Sequence, residues 1–449
     1  METMTVLAPT GTLGYGFDPD ALARGMTLEP ALIVVDAGST DPGPHYLGTG
    51  ESLVPRISIE RELELLLAAA LDRGIPLVVG SCGGSGRNDQ VTETAKVVRD
   101  LAHRHGWHFR MATIEAEIPN RVVLEALRDG RVFDFEAGAL PSEAEVEAST
   151  TIVAQMGPEP IMAAIEAGAR VVLAGRACDD ALIAAVPILK GYDRGSAIHM
   201  GKILECGAFC ADPFAMDVIL GTLDDEGFTL EPGSLGRRCT VATVAGHSLY
   251  EREDPYIQVG PGGRVDMTKT RFSQLDDRRV RVTGTRFVPE DRYCIKLEGA
   301  RRVGYRTISI AGVRCPTMIE RIDPILEDVR RRIEDYFSDE TSFTLLFHQY
   351  GRDAVMGQLE QNRNWLPHEL GLVTEAIAPT QDLAHAICHV TTGTLLHYSY
   401  DGQKNNAGNL AFLHSPSEVD AGPTYEFSLY HLMEVSDPTE FFPVEIEDI

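Results

Sequence analysis

The sequence predicts an α/β protein: a mostly parallel sheet with helices on both faces in the N-terminal half, followed by an α+β domain with antiparallel strands. Three observations carry this reading. Short β-branched runs alternate with stretches of helical period through the first half. Those runs are apolar almost throughout, as strands buried on both faces must be. Beyond Leu223–Gly236 the alternation stops and strands follow one another. The chain is therefore expected to divide into residues 1–228 and 229–449.

The expected strands of the first half are Ala31–Val35, Pro76–Val79, Phe109–Ile114 and Arg170–Leu173. Between them, Ser58–Arg73 places apolar residues at helical spacing, and Gln90–His105 and Ser142–Met156 follow the same period. Pro158–Ala167 stops before Gly168, a residue that ends helices readily. Asp179–Leu189 follows the fourth strand. Strand and helix in strict alternation argue for parallel pairing with crossover helices. From Cys239 to Val313 strands are expected, the run CTVATVAGHSLY among them. Pro316–Tyr336 reads as one amphipathic helix with proline in its first turn. Phe343–Phe347 and Leu372–Ile377 read as strands, and Gln381–His397 as a helix.

Composition narrows the function classes. The 449 residues are 44% hydrophobic and 24% charged, as in an ordinary globular protein. The net charge of −27, from 40 basic and 67 acidic residues, argues against nucleic acid and anionic membranes as partners. No run approaches the ~18 apolar residues of a membrane span. METMTVLAPTGTLGYGF lacks the basic and apolar regions of a signal peptide, so a cytoplasmic location is expected. The eight cysteines form no C-x-x-C pair and read as reduced thiols.

Ligands of open parallel sheets bind beyond the carboxyl ends of the strands, and the loops at those exits are unusual here. The first, DAGSTDPGPHYLGTG, offers Asp36, Ser39, Thr40 and Asp41 among turn-forming residues. The second, GSCGGSG, precedes a helix, so Ser81 and the amides from Gly83 and Gly84 to Gly86 could cradle an anion. Cys82 in the same loop is a candidate nucleophile. The third exit carries Glu117, a candidate base. The fourth, AGRACDD, offers Arg176 to clamp a carboxylate and Asp179 as a metal ligand or helix cap. If HMGKILECGAFCADP is helical, His199, Lys202 and Glu205 share one stripe suited to acid/base work and anion binding. The stretch KNNAGN adds Lys404 and Asn409 as polar groups for a substrate.

At these loops the chain resembles the acyclic terpene utilisation protein A family. The matching stretches are LGYGF, DAGSTDPGPHYLGTG, GSCGGSGRND, VLAGRACDDALIAAVPI, HMGKILECGA and KNNAGNLAF with SPSEVDAGPTYEFSLYHLM, in that order across residues 8–435. The resemblance implies catabolism of citronellol- and geraniol-type acids through branched acyl-CoA thioesters. It also implies a small companion protein, here a separate polypeptide. Relatives often carry a small residue where Cys82 and Cys178 stand, which weakens both as nucleophiles.

The expected activity is that of a lyase, hydratase or isomerase on a carboxylate or its acyl-CoA thioester. Asp36, Asp41 or Glu117 would take the proton, with His199 and Lys202 assisting. Ser39, Thr40, Ser81, Gly83, Gly84, Arg176, Lys404 and Asn409 would hold the substrate. No cofactor is specified, although a divalent metal on Asp36, Asp41 and Asp179 would suit hard oxygen ligands. The alternatives are a carboxylate-binding subunit that needs its companion, and a hydrolase using Cys82 or a serine. A homo-oligomer is expected of a metabolic protein.

Overall fold

The computed structural model describes residues 2–135, 138–252, 254–340, 342–404 and 406–449. The chain forms two compact units, one of Met1–Arg301 with Phe427–Ile449 and the other of Arg302–Glu426. This division lies away from the change in pattern near residue 228, and the reason is local. A strand, Gly227–Pro232, runs through that position and pairs on both sides within the first unit.

Five parallel strands form the heart of the first unit: β1 (Met4–Ala8), β2 (Leu32–Asp36), β3 (Leu77–Gly80), β4 (Arg110–Ile114) and β5 (Val171–Ala174). Four antiparallel strands, β6 (Ile219–Leu223), β7 (Gly227–Pro232), β8 (Arg271–Gln274) and β9 (Val280–Thr283), extend one edge. A last strand, β10 (Val444–Asp448), closes the other edge antiparallel to β4. The order is β8-β9-β7-β6-β1-β2-β3-β5-β4-β10.

Alternation along each strand explains why the parallel strands are apolar throughout. Leu32 and Val34 join the core under one face, whereas Ile33 and Val35 join the core under the other. The second face is covered by α1 (Pro19–Met26), α2 (Arg56–Arg73) and α3 (Asn88–His105). The first is covered by α4 (Asn120–Arg128), α5 (Glu159–Glu166), α6 (Asp179–Leu189) and α7 (Arg194–Leu204). The connection after β3 thus leaves to one face and that after β5 to the other, although the two strands are neighbours.

Three expectations need correction. Ser142–Met156 is helical only over Glu143–Ala148, and Thr151–Gln155 is a strand paired with Lys296–Ala300, as its β-branched TTIV suits. The run after Cys239 forms a helix, α8 (Val241–Ser248), because Thr240 and Thr243 make a capping box and Val244 and Ser248 face inward. Pro316–Tyr336 is broken at Arg321 into two helices.

In the second unit, Leu370–Ala378 pairs antiparallel with Thr344–Tyr350 on one side and with Tyr305–Val313 on the other. Helices Ile322–Tyr336 and Gln381–Leu396 pack on this sheet around Val329, Ile333, Ile387 and Leu395. Among the described residues no helix is long and apolar enough to cross a membrane.

Candidate functional site

A cleft of about 460 Å³ lies at the carboxyl ends of β1 and β2, within the first unit. Its volume falls in the ~300–1,000 Å³ range of small-molecule sites. Asp36, the last residue of β2, lines it, and so does Asp179, the first residue of α6. Ser39 and Asp41 contribute from the first exit loop. Glu205 and Cys206 come from the end of α7, and His247, Tyr250 and Glu251 from the end of α8 and the turn after it.

Asp36 is only 6% exposed, and its Oδ1 is buried with no hydrogen-bond partner; the same is true of Asp179 Oδ1. Burial, followed by the charge of Asp179, pushes Asp36 well above the usual carboxylate range, against Arg176 and Ser81. Burial also raises Asp179, with Arg176 and Asp36 opposing. Each acid thus disfavours a second negative charge beside it, and burial adds to that at Asp36. Unsatisfied buried oxygens are rare in folded proteins, and here both belong to residues that line the cleft.

Arg176 stands beside this pair without lining the cleft. Its Nε donates to Glu298 Oε2 at 2.8 Å, its Nη2 to Glu298 Oε1 at 3.3 Å and its Nη1 to Ser81 Oγ at 3.1 Å. Its Nη1 lies 3.7 Å from Asp179 Oδ1, an ion pair beyond hydrogen-bond reach. The guanidinium is 4% exposed. It is thus a buried counter-charge for the acids, where a substrate clamp had been expected. Ser81 is also committed: its Oγ accepts from Arg176 and from the Ala177 amide at 3.3 Å. Its φ of 44°, unusual for a residue with a side chain, turns the chain out of β3.

The glycines of GSCGGSG serve packing. A Cβ on Gly86 would stand 2.1 Å from the Arg176 amide, and one on Gly38 would stand 2.1 Å from Gly84 O. These contacts lock the second exit loop to the fourth and to the first. Gly84 N donates to Ser81 O, and the Ser85 and Arg87 amides both donate to Gln90 Oε1. Of the expected anion cradle, the Gly84 amide is therefore taken up by the protein's own acceptors, as are the Ser85 and Arg87 amides after it.

Other expected residues sit elsewhere. His199 is fully buried between Thr285 Oγ1, 2.9 Å from Nδ1, and Ser248 Oγ, 3.1 Å from Nε2. Burial and Arg252 push it down to about 3, so it is a neutral packing group and not a base. Lys202 bridges Glu205 at 2.5 Å and Glu251 at 2.9 Å. Burial works against its charge, but the two carboxylates outweigh burial and hold the ammonium. Glu117 accepts the Asn88 amide at 3.0 Å, at the start of α3 and off the cleft. Thr40 lies in the turn closed by Gly43 N to Thr40 O at 2.9 Å. Lys404 and Asn409 belong to the second unit, where the Asn409 amide donates to Leu395 O and Tyr398 O at the end of a helix. Among the described residues no group of three or more His, Cys, Asp or Glu is arranged to hold a metal ion, so Asp36, Asp41 and Asp179 do not form the expected set.

Cys82 is fully buried, and desolvation pushes its thiol up to about 12. A thiol in that state is neither accessible nor ionised, which removes it as a nucleophile. Accordingly, an alkylating reagent should leave Cys82 unlabelled in the native protein and label it only after denaturation, as peptide mass mapping would read. Native labelling would show that the loop opens.

Several cleft residues carry no sequence signal: Phe209, Phe214, Met216, His247 and Tyr250 follow no strand exit. His247 Nε2 is buried without a partner, and its ring stacks on Tyr250 with centroids 5.5 Å apart. Burial and the Lys202 charge push His247 down to about 4, so its imidazole is neutral.

The loops that build and brace this cleft are the stretches GSCGGSGRND, VLAGRACDD and HMGKILECGA. Comparison with curated proteins and with solved structures gives no match. The model of the acyclic terpene utilisation family protein AtuA matches residues 56–409. That span is well over half of the chain and takes in those three loops, so the chain belongs to the acyclic terpene utilisation family AtuA, which is named for the breakdown of acyclic terpenes.

Proposed function

We propose that this protein is an enzyme of acyclic terpene breakdown that moves a proton next to the carbonyl of an acyl substrate, as a lyase, hydratase or isomerase. The observation that carries the reading is the Asp36–Asp179 pair, with buried Oδ1 atoms that no protein group satisfies. Environments that drive two carboxyls apart assign an acid and a base. Asp179, beside Arg176, is the better anion and takes the α-proton from carbon. Asp36, which holds its proton, gives it to the carbonyl oxygen as the enol forms. Return of the two protons to other positions completes an isomerisation, while expulsion or addition of a β-hydroxyl makes the step a dehydration or hydration. Arg176 limits the negative charge of the pair throughout, held by Glu298.

Solvent exchange tests this without knowledge of the product. The N-acetylcysteamine thioester of a branched medium-chain acid, incubated with the protein in D₂O, should gain deuterium α to the carbonyl. The Asp36→Asn variant should not promote this gain. No protein-dependent exchange with any thioester of a chain-length series would sink the reading.

A further inference from the structure

The sheet of the second unit has two apolar faces, and the helices of that unit cover one of them. An antiparallel sheet with a wet face reads as apolar and polar residues in alternation. Leu370–Ala378 does not: it reads LGLVTEAIA, with one charged residue. Leu370, Leu372, Ala376 and Ala378 join Leu345, Ala311 and Val313 of the flanking strands in the core under the two helices. Alternation turns the residues between them to the other face. There the register sets Val373 between Ile310 and His348, Glu375 between Ile308 and Leu346, and Ile377 between Arg306 and Thr344. Ile308, Ile310, Val373 and Ile377 are half-buried, and Leu346 and Tyr350 are 37% and 54% exposed. Among the described residues, none of these six packs against a hydrophobic core of the molecule. On the next strand, Glu418–Val435, two acids turn to helix Gln381–Leu396: Glu418 accepts from Thr392 Oγ1 at 2.5 Å, and Asp420 pairs with His385 Nδ1 at 2.9 Å. Val419 between them is left on the open side, 41% exposed.

We propose that this face is the contact between two copies of the chain, packed sheet on sheet about a twofold axis with Ile310 and Val373 near its centre. In such a dimer a surface meets its own duplicate, so it must be compatible with itself. Its polar groups are. Glu375 pairs with Arg306 Nε at 2.6 Å and with His348 Nε2 at 2.8 Å, so the charges are matched within each copy. Arg306 and Glu375 are the only Lys, Arg, Asp or Glu residues in Tyr305–Val313, Thr344–Tyr350 and Leu370–Ala378. In a chain of net charge −27, a face with its one cation beside its one anion is where two copies repel least. A partner drawn by charge would be basic, and this face offers it no net negative surface. The size also suits a second copy. Four strands ~4.8 Å apart, with the nine residues of Leu370–Ala378 as the length, present roughly 19 by 30 Å, about 570 Å² on each copy. Two copies together then bury over ~1,100 Å², past the ~1,000 Å² expected of a specific interface. Sheets packed face to face at ~10 Å interdigitate their side chains, which takes the Ile, Val and Leu residues of this face out of water. The proposal concerns the second unit and is independent of the proton-transfer reading.

Sedimentation velocity of the full chain, over a concentration series reaching tens of micromolar, tests this. The wild type should sediment at twice the 49.0 kDa of one chain. Val373→Lys should move it toward the monomer and raise the dissociation constant by at least about tenfold, because an ammonium would have to leave water inside the contact. Leu346→Lys lies on the edge strand, where lysine is well tolerated, and should weaken the dimer in the same direction. Circular dichroism melting shows whether each variant folds, and Leu346→Lys decides the matter if Val373→Lys does not. Leu235→Lys, at a residue 73% exposed in the first unit, is the control and should stay dimeric. A wild type that is monomeric at every concentration would overturn the proposal, including one that associates only when a different polypeptide is added. A dimer that persists in the folded face variants would put the contact elsewhere and overturn it as well. Dissociation by Leu235→Lys to the same extent would mark unspecific apolar association, with the same consequence.

Discussion

Asp36→Asn is expected to lower turnover by on the order of 10²–10⁴, the usual share of a general acid, while the fold gains stability at alkaline pH. The two effects have one cause. Asp36 is 6% exposed, and burial together with the charge of Asp179 favours its protonated form. Its folded pKa lies above the ~3.9 of an unfolded aspartate. Its contribution to stability is therefore complete below that unfolded value and is lost as pH rises through the folded value, because a second anion must then form beside Asp179. Asparagine has nearly the same shape and stays neutral at every pH. Melting temperatures of variant and wild type should differ little near pH 4 and diverge in the variant's favour as pH rises. A variant that melts lower at every pH would mean that Asp36 is charged in the native protein and needed as an anion. A variant with full turnover would remove Asp36 from the chemistry.

The parallel core was legible because strands buried on both faces must be apolar almost throughout, and the residues from Leu32 to Val35 and all of Val171–Ala174 are. Met4–Ala8 was not anticipated, although it lies at the centre of the sheet, because five residues near a terminus have no flanking alternation to mark them. The acidic half of the cleft followed from the rule that loops at strand exits carry ligands; Asp36, Ser39, Asp41 and Asp179 all line it. The apolar half and His247 arrive from connections that no strand announces, and only tertiary packing brings them there. The stripe His199–Lys202–Glu205 misled for a definite reason. A polar stripe marks a working or solvated face only when the helix has such a face, and Gly195 through Leu204 are all buried. Its polar groups therefore pair inward: His199 with Thr285 and Ser248, Lys202 with Glu205 and Glu251. Arg176 was recognised as important, but its partner lies 122 residues away, a distance no local pattern spans.

That partner yields the prediction with the largest expected effect on stability. Glu298 has a side chain 3% exposed, and it accepts from Arg176 twice and from Gln155 Nε2 at 2.8 Å. Burial alone would raise its pKa, but Arg176 and then Lys296 outweigh burial and keep it ionised below its usual range. Its contribution is thus present above the unfolded pKa and lost as pH falls through the folded one. Glu298→Gln preserves shape and leaves the Arg176 charge uncompensated by it. Removing one partner of a buried pair costs roughly 3–5 kcal/mol, which denaturant titration would register as a clear fall in midpoint. The Arg99–Glu447 pair, about 40% exposed on both sides, is the control, and Glu447→Gln should change almost nothing. A purely structural Glu298 would show the stability loss alone. If Glu298 instead sets the charge that Arg176 presents to Asp36 and Asp179, the glutamine variant leaves that guanidinium more positive toward them. Asp36 then releases its proton at lower pH, and the alkaline limb of the pH–rate profile moves down. Glu298→Asp keeps the charge and should keep that limb in place even if it costs stability. An unmoved limb in a folded Glu298→Gln protein would confine Glu298 to holding the fold.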